Sequence, residues 1–166
     1  MNRSTVGPLE SQKETLLTRS FIALLITQFT VALNDNILRW LFIPIGKDLA
    51  QSQLGESADI ARAAGSFIFL LPFILLAGWA GATADRFSKR TVLVGAKVAE
   101  VIVILMAVAS ILMGNIWAMA GVLFLAGVHS TFFSPAKYGS IPEIVGPRAI
   151  SAANGLIGLT TMIAVI

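Results

Sequence analysis

The amino-acid sequence predicts an all-α integral membrane protein, a bundle of five long helices, and three observations support this. Hydrophobic residues make up 56% of the 166-residue chain, charged residues only 13%, and the mean hydropathy is +0.83. Uncharged runs cover residues 63–84, 101–136 and 149–166. Crossing a hydrocarbon core of about 30 Å takes about 20 apolar residues, so the first and last runs are single spans. Gly114-Asn115 divides the middle run into two.

We expect a polar cytoplasmic lead over residues 1–19, followed by a transmembrane domain over residues 20–166. The connection at 46–62 carries charges and is expected to be exposed, and the Pro- and Gly-containing stretch at 134–148 is expected to be a loop. The fifth helix is still running at the last residue, which predicts a truncated bundle. The helices are expected at about 20–45, 63–84, 91–113, 116–133 and 149–166.

Basic residues are distributed unevenly between the predicted loops. Eight of the twelve lie in the lead and in segments 85–90 and 134–148, two lie in segment 46–62, and two lie inside helices. Cytoplasmic loops carry the excess of Lys and Arg, so we expect the N-terminus to lie in the cytoplasm. The charge therefore reflects topology and indicates no nucleic-acid partner. The absence of cysteine excludes disulfides and thiolate metal sites, and we expect no metal or cofactor.

A polar stripe crosses the first predicted helix. Gln28, Asp35 and Arg39 are seven and four residues apart, which places them on one face, with Asn34 and Asn36 flanking it. Charges near the bilayer centre are unfavourable, so such residues mark a substrate path by default. The alternative is an ion pair between positions 35 and 39 that only lowers the insertion penalty. Whether the carboxylate binds a cation or carries a proton stays open.

Three further polar residues fall inside the third and fourth predicted helices and complete the predicted substrate pathway. Lys97 lies near a helix end, where snorkelling explains it as well as a function does. Glu100 is deeper and needs a partner, either Lys97 or a cation on the first helix. His129 is more often a hydrogen-bonded interior residue than a ligand, and no second His or Cys exists for a metal site.

The turn between the second and third helices has a more specific pattern. Its elements are Gly81, then Asp85-Arg86, then Lys89-Arg90. A basic anchor would require only the cations, whereas the full spacing resembles the signature turn of the major facilitator superfamily. The resemblance implies a gating turn that latches the cytoplasmic side. Ser88 stands where that superfamily usually has Gly.

Other stretches resemble the bacterial lysophospholipid transporters within that superfamily. They cover the chain from about residue 27 onward, and the stretch at 134–139 is the most specific. That stretch is expected to be an interfacial loop that either ends a helix and anchors it or contacts a lipid phosphate, with Pro135, Lys137, Tyr138 and Gly139 as its residues. The matching stretches are Thr27-Gln28-Phe29, Asn34-Asp35-Asn36, Lys97, Ser134-Pro135-Ala136-Lys137-Tyr138-Gly139, Pro142-Glu143 and Ala153-Asn154-Gly155-Leu156.

The resemblance implies a transporter that moves lysophospholipid from the outer to the inner leaflet of the bacterial inner membrane, with Asp35 contacting the headgroup. An acyltransferase is implied as a fused or associated partner. This segment is not that enzyme, since the usual His with an Asp five positions on is missing: Ser134 follows His129 at that spacing. The alternatives are an antiporter or exporter of small solutes or drugs, and a non-transporting membrane scaffold.

Overall fold

The protein is helical throughout the part that the computed structural model describes, residues 18–166. The predicted polar lead falls almost wholly outside these residues. Five segments are long and apolar enough to cross a membrane, the last including a short 3₁₀ turn. The predicted all-α membrane class is therefore confirmed. The helices are α1 (Arg19–Leu54), α2 (Ala58–Arg86), α3 (Lys89–Met113), α4 (Ile116–Val145) and α5 (Ile150–Val165), with the 3₁₀ turn at Pro147–Ala149 before α5.

Local side chains explain where the helices begin and end. Ser57 and Ser88 precede α2 and α3, and each hydroxyl accepts a backbone N–H from the first turn. Gly114 ends α3 at φ 57°, a left-handed conformation that glycine adopts without strain. Asn115 then caps α4, since its Oδ1 accepts from the backbone N–H of Trp117 at 2.8 Å. The tight turn expected at Gly114-Asn115 is present.

The connection expected over residues 46–62 is much shorter than the sequence suggested. Helix α1 runs on to Leu54 and α2 begins at Ala58, which leaves three connecting residues. Charged residues such as Lys47 and Asp48 lie on helical turns instead. Charge marks the end of the hydrocarbon-spanning stretch, but Lys is a good helix former, so the helix outlasts the apolar run.

The prediction of a loop over residues 134–148 is wrong, because helix α4 continues through most of this stretch to Val145. Pro135 was expected to end the helix, and Gly139 to loosen the chain. In apolar surroundings an unpaired backbone group is costly, and membrane helices tolerate proline because neighbouring groups satisfy the freed carbonyl. The four residues of the expected interfacial loop are therefore helical.

The chain divides into two compact units, each described by itself. The first combines residues 18–34 with 137–166, and in it Gln28 Nε2 donates to Thr161 Oγ1 at 2.8 Å, which joins α1 to α5. The second covers residues 35–136 and contains parts of α1 and α4 with all of α2 and α3. Its apolar core comprises Leu38, Phe42, Val103, Ala107, Met119, Val122 and Ala126.

Within the second unit, α2 and α4 approach so closely at Gly127 that no side chain fits there. A Cβ at this position would lie 2.2 Å from the carbonyl oxygen of Phe69 and 3.0 Å from Cγ of Pro72. Pro72 is fully buried inside α2. Small residues allow such backbone contact between membrane helices, where van der Waals packing contributes much of the association energy.

We predict that Gly127→Ala destabilises the protein by about 1–3 kcal/mol, the usual effect of overpacking a filled interior. The added methyl would meet a backbone carbonyl, which cannot move away without shifting α2. Thermal unfolding of the purified protein in detergent measures the change. Gly121→Ala is the matched control in the same helix, since a Cβ there meets nothing within 4 Å. Equal melting temperatures for the two variants would contradict the close approach.

Candidate functional site

A cavity of about 340 Å³ lies between α1, α2 and α4 in the second unit. Asp35 and Arg39 line it because they are one helical turn apart on α1. Ser66 adds a hydroxyl from α2. The remaining lining residues are Leu38, Phe42, Ile43, Gly65, Phe69, Leu70, Val122, Leu123 and Ala126. The cavity is thus an apolar chamber with an acid and a base on one wall.

The acid and the base have different nearest partners. Ser130 of α4 donates to Asp35 Oδ2 at 3.5 Å, a long and weak hydrogen bond. The Arg39 guanidinium lies over the Phe69 ring, 5.5 Å from its centroid. Among residues 18–166 the two do not form a contact ion pair within 4.0 Å. The alternative in which they only neutralise each other does not fit this geometry, because both remain directed to the cavity.

Lys97 and Glu100 form an ion pair on α3, with 2.6 Å between Nζ and Oε2. The Glu100 side chain is 6% exposed and that of Lys97 is 32% exposed. Of the two partners expected for Glu100, the structure therefore shows Lys97. Both charges also interact with the Asp35 carboxylate, as does Arg39. The Asp35 carboxylate therefore lies in the field of one further carboxylate and two cations.

His129 lies in α4 and is 7% exposed. Its ring stacks on Phe133 with 6.1 Å between centroids. The histidine is therefore an interior residue. Within the described residues, however, its Nε2 is buried and has no partner. One polar atom in this region is therefore left unused by the protein.

The other three residues of the predicted stripe are not among the lining residues of this cavity. Gln28 belongs to the first unit, is 5% exposed, and is held by Thr161. Asn34 and Asn36 are half-buried. The structure therefore places Asp35 and Arg39 in one cavity, whereas the role of the other three residues in a substrate path stays a prediction.

The turn between α2 and α3 is built by short-range contacts. Lys89 Nζ donates to the carbonyl oxygen of Ala84 and lies 3.6 Å from Asp85 Oδ1, which satisfies and neutralises the end of α2. Ser88 caps α3, so its hydroxyl has a use that Gly would lack. Asp85, Arg86 and Arg90 are exposed and Gly81 is half-buried. A gating role for this turn is not tested by these contacts.

The residues of the expected interfacial loop lie in α4, and Lys137 is buried there at 8% exposed. Its ammonium lies 4.3 Å from the centroid of the Tyr138 ring, and Tyr138 is itself exposed. Whether Lys137 anchors the helix at the interface or contacts a lipid phosphate stays a prediction. A cation that packs on an aromatic face can remain in a helix with little exposed surface.

The sequence analysis did not identify three residues that contact the polar side chains of α1. Ser130 and Thr161 carry hydroxyls in apolar helices, and that signal alone would have marked them for attention. Phe69 gave no signal, because an aromatic residue in an apolar run is ordinary. Its position under Arg39 follows only from how α1 and α2 pack.

The five membrane-spanning helices of the described residues define a multi-pass membrane protein with a charged cavity among its helices. A family model described as "transmembrane secretion effector", MFS_3, matches residues 8–165. The chain therefore belongs to this family of the major facilitator superfamily, as the resemblance predicted.

The chain is also similar to individual curated proteins, all of one kind. The lysophospholipid transporter LplT of Photorhabdus laumondii is 33% identical over 151 residues, which are 91% of this chain and 35% of the relative. LplT of Cronobacter sakazakii is 31% identical over 157 residues, 95% of this chain and 36% of the relative. LplT of Serratia proteamaculans is 33% identical over 154 residues, which are 91% of this chain and 35% of the relative. The chain thus spans about a third of these relatives. No solved structure matches it significantly.

We predict an asymmetric response when the pair on α3 is broken. Lys97→Met leaves the nearly inaccessible Glu100 carboxylate without its cation and should destabilise the protein by about 2 kcal/mol, below the 3–5 kcal/mol of a fully buried pair. Glu100→Gln leaves an ammonium that reaches solvent and should cost less. Chemical or thermal unfolding of both variants checks the order, and the double variant should recover part of the loss. A larger loss for Glu100→Gln would show that Lys97 is the more deeply desolvated partner.

Proposed function

We propose that the full-length protein moves lysophospholipid from the outer to the inner leaflet of the bacterial inner membrane. The observation that carries this proposal is the chamber in which an acid and a base share one wall and the other walls are apolar except for the hydroxyl of Ser66. The family membership and the names of the relatives supply the substrate class. This chain contributes one wall of the transport path.

The chemistry of the chamber suits an amphiphile with a zwitterionic headgroup. Asp35 can pair with a headgroup amine, and Arg39, one turn away, can bind a phosphate with its planar guanidinium. Phe42, Phe69 and Leu70 offer apolar surface for the single acyl chain. A small polar solute would gain nothing from those walls, so a carrier for small solutes is the less suitable alternative.

The distribution of basic residues supports one orientation of the chain in the membrane. The α2–α3 turn carries Arg86, Lys89 and Arg90 within five residues. We propose that this end faces the cytoplasm, with the N-terminus on the same side and the turn acting as a gate there. An acyltransferase that rebuilds the diacyl lipid is proposed as the partner that consumes the transported lipid, since the resemblance implies one.

Asp35→Asn is the direct test of the headgroup contact. Removing the charge replaces a charge-assisted hydrogen bond by a neutral one, so we expect transport to fall about tenfold while expression is unchanged. Uptake of labelled lysophosphatidylethanolamine into spheroplasts, with leaflet-specific back-extraction, measures it. Asp48→Asn is the matched control on the same helix, since Asp48 is exposed and does not line the chamber.

Each outcome has a distinct meaning. Normal uptake by Asp35→Asn would remove this residue from the headgroup site and favour a structural role. A wild-type protein that moves no lysolipid but exports a small cationic dye would replace the lipid carrier by the solute antiporter. Activity in neither assay would favour a non-transporting scaffold.

A further inference from the structure

The two charges of the chamber do not pair in the way that their spacing favours. Asp35 and Arg39 are four residues apart on α1 with the acid on the N-terminal side, which is the spacing and order that favour an ion pair on a helix. The Asp35 carboxylate lies in the field of Arg39, yet within the described residues no contact pair joins them. A tertiary contact therefore holds the guanidinium away from the carboxylate.

The ring of Phe69 on α2 provides that contact. The guanidinium carbon of Arg39 lies 5.5 Å from the centroid of this ring. A cation within roughly 6 Å of the centroid is attracted to the electron-rich face of an aromatic ring. Both side chains line the chamber, as Asp35 does. The ring and the carboxylate therefore compete for the same cation.

Phe69 is itself held in place by its neighbours. A Cβ added to Gly127 of α4 would collide with the carbonyl oxygen of Phe69, so the backbones of α2 and α4 are in close contact at this residue. The Phe73 ring lies 5.9 Å from the Phe69 ring at an interplanar angle of 50°. Phe69 also packs against the apolar core of the second unit. The position of Arg39 thus depends on how α2 packs against α4.

Stacking and ion pairing use different parts of a guanidinium group. An aromatic ring contacts its flat face, whereas a carboxylate or a phosphate is bound by the N–H groups at its edge. Arg39 over Phe69 therefore keeps its edge available for a phosphate. Apart from the long hydrogen bond from Ser130, the oxygens of Asp35 stay available for an amine. A contact pair between Asp35 and Arg39 would occupy both binding groups at once.

We propose that Phe69 is a positioning residue of the lysophospholipid site, because its ring prevents Arg39 and Asp35 from neutralising each other. The inference rests on the proposed lysophospholipid function and adds the residue that keeps both charges ready for a zwitterionic headgroup. Phe69 acts through Arg39, and the aromatic face is what it contributes beyond apolar surface. An aliphatic side chain at this position would fill the space but leave the guanidinium free to turn toward the carboxylate.

The test measures how tightly the full-length protein, reconstituted in phosphatidylcholine nanodiscs, binds palmitoyl lysophosphatidylethanolamine. Phe69→Leu keeps an apolar side chain without an aromatic face, and we expect the affinity to fall about fivefold, the effect of one cation–π contact. Phe69→Tyr retains the ring and should bind within about twofold of wild type. Phe67→Leu is the matched control on the same helix, because Phe67 is exposed and does not line the chamber.

A second background separates positioning from packing. Asp35→Asn removes the carboxylate with which Arg39 would pair, so Phe69→Leu added to it should lower the affinity by less than about twofold. A loss of packing alone would be as large in this background as in wild type. Replacing Phe69 by trifluorophenylalanine keeps the ring but weakens the attraction of its face for a cation, so the affinity should fall about threefold. Because the shape of the side chain is kept, this variant tests the inference even where Phe69→Leu does not fold.

Other results overturn the inference in distinguishable ways. Unchanged affinity in the fluorinated protein, with transport intact, would show that the aromatic face does not position Arg39, and would leave the transport function standing. An equal loss from Phe69→Leu in the wild-type and Asp35→Asn backgrounds would assign Phe69 a packing role alone. Failure of wild-type protein to bind or move the lysolipid would reject the proposed transport function itself.

Discussion

Water is absent from the hydrocarbon of a bilayer, so every polar group placed there must be satisfied by the protein or by what it binds. The contacts of the described residues follow from this constraint. Lys97 meets Glu100, Gln28 meets Thr161, and Arg39 lies over Phe69. The polar atoms left without a protein partner are therefore informative. Within the described residues, Nε2 of His129 and Oε1 of Gln28 are two such atoms.

The same constraint shapes the backbone. A proline ends a helix readily in water, where the freed backbone groups bind solvent. Inside a membrane protein the freed groups must find protein partners, so a continued helix with a local defect is the better solution. Helix α4 passes through Pro135 for this reason. Close contact between helices also depends on this continuity of the helices, since Gly127 meets the backbone of α2 only while both segments stay helical.

The chamber between α1, α2 and α4 has features that match the two parts of an amphiphile. Asp35 and Arg39 place opposite charges on one wall, which suits a headgroup. Phe42, Phe69 and Leu70 add apolar surface, which suits an acyl chain.

Composition and spacing alone determined that this is a multi-pass membrane protein and how many spans it has, because uncharged runs of one-span length are rare outside membrane proteins. They also pointed to most of the charged candidates, because charges inside such runs are unfavourable. They also placed Asp35 and Arg39 on one face, since helical periodicity is a local property. Tertiary structure alone decided that Arg39 lies over Phe69, that Gln28 is engaged by α5 and that Lys137 is buried in a helix. Those facts depend on which helices pack together, and a single sequence does not encode that pairing in any local pattern. The helix ends near residues 46–62 and 134–148 were mispredicted for a related reason: charge and proline mark where solvent begins or a kink occurs, not where backbone hydrogen bonding stops.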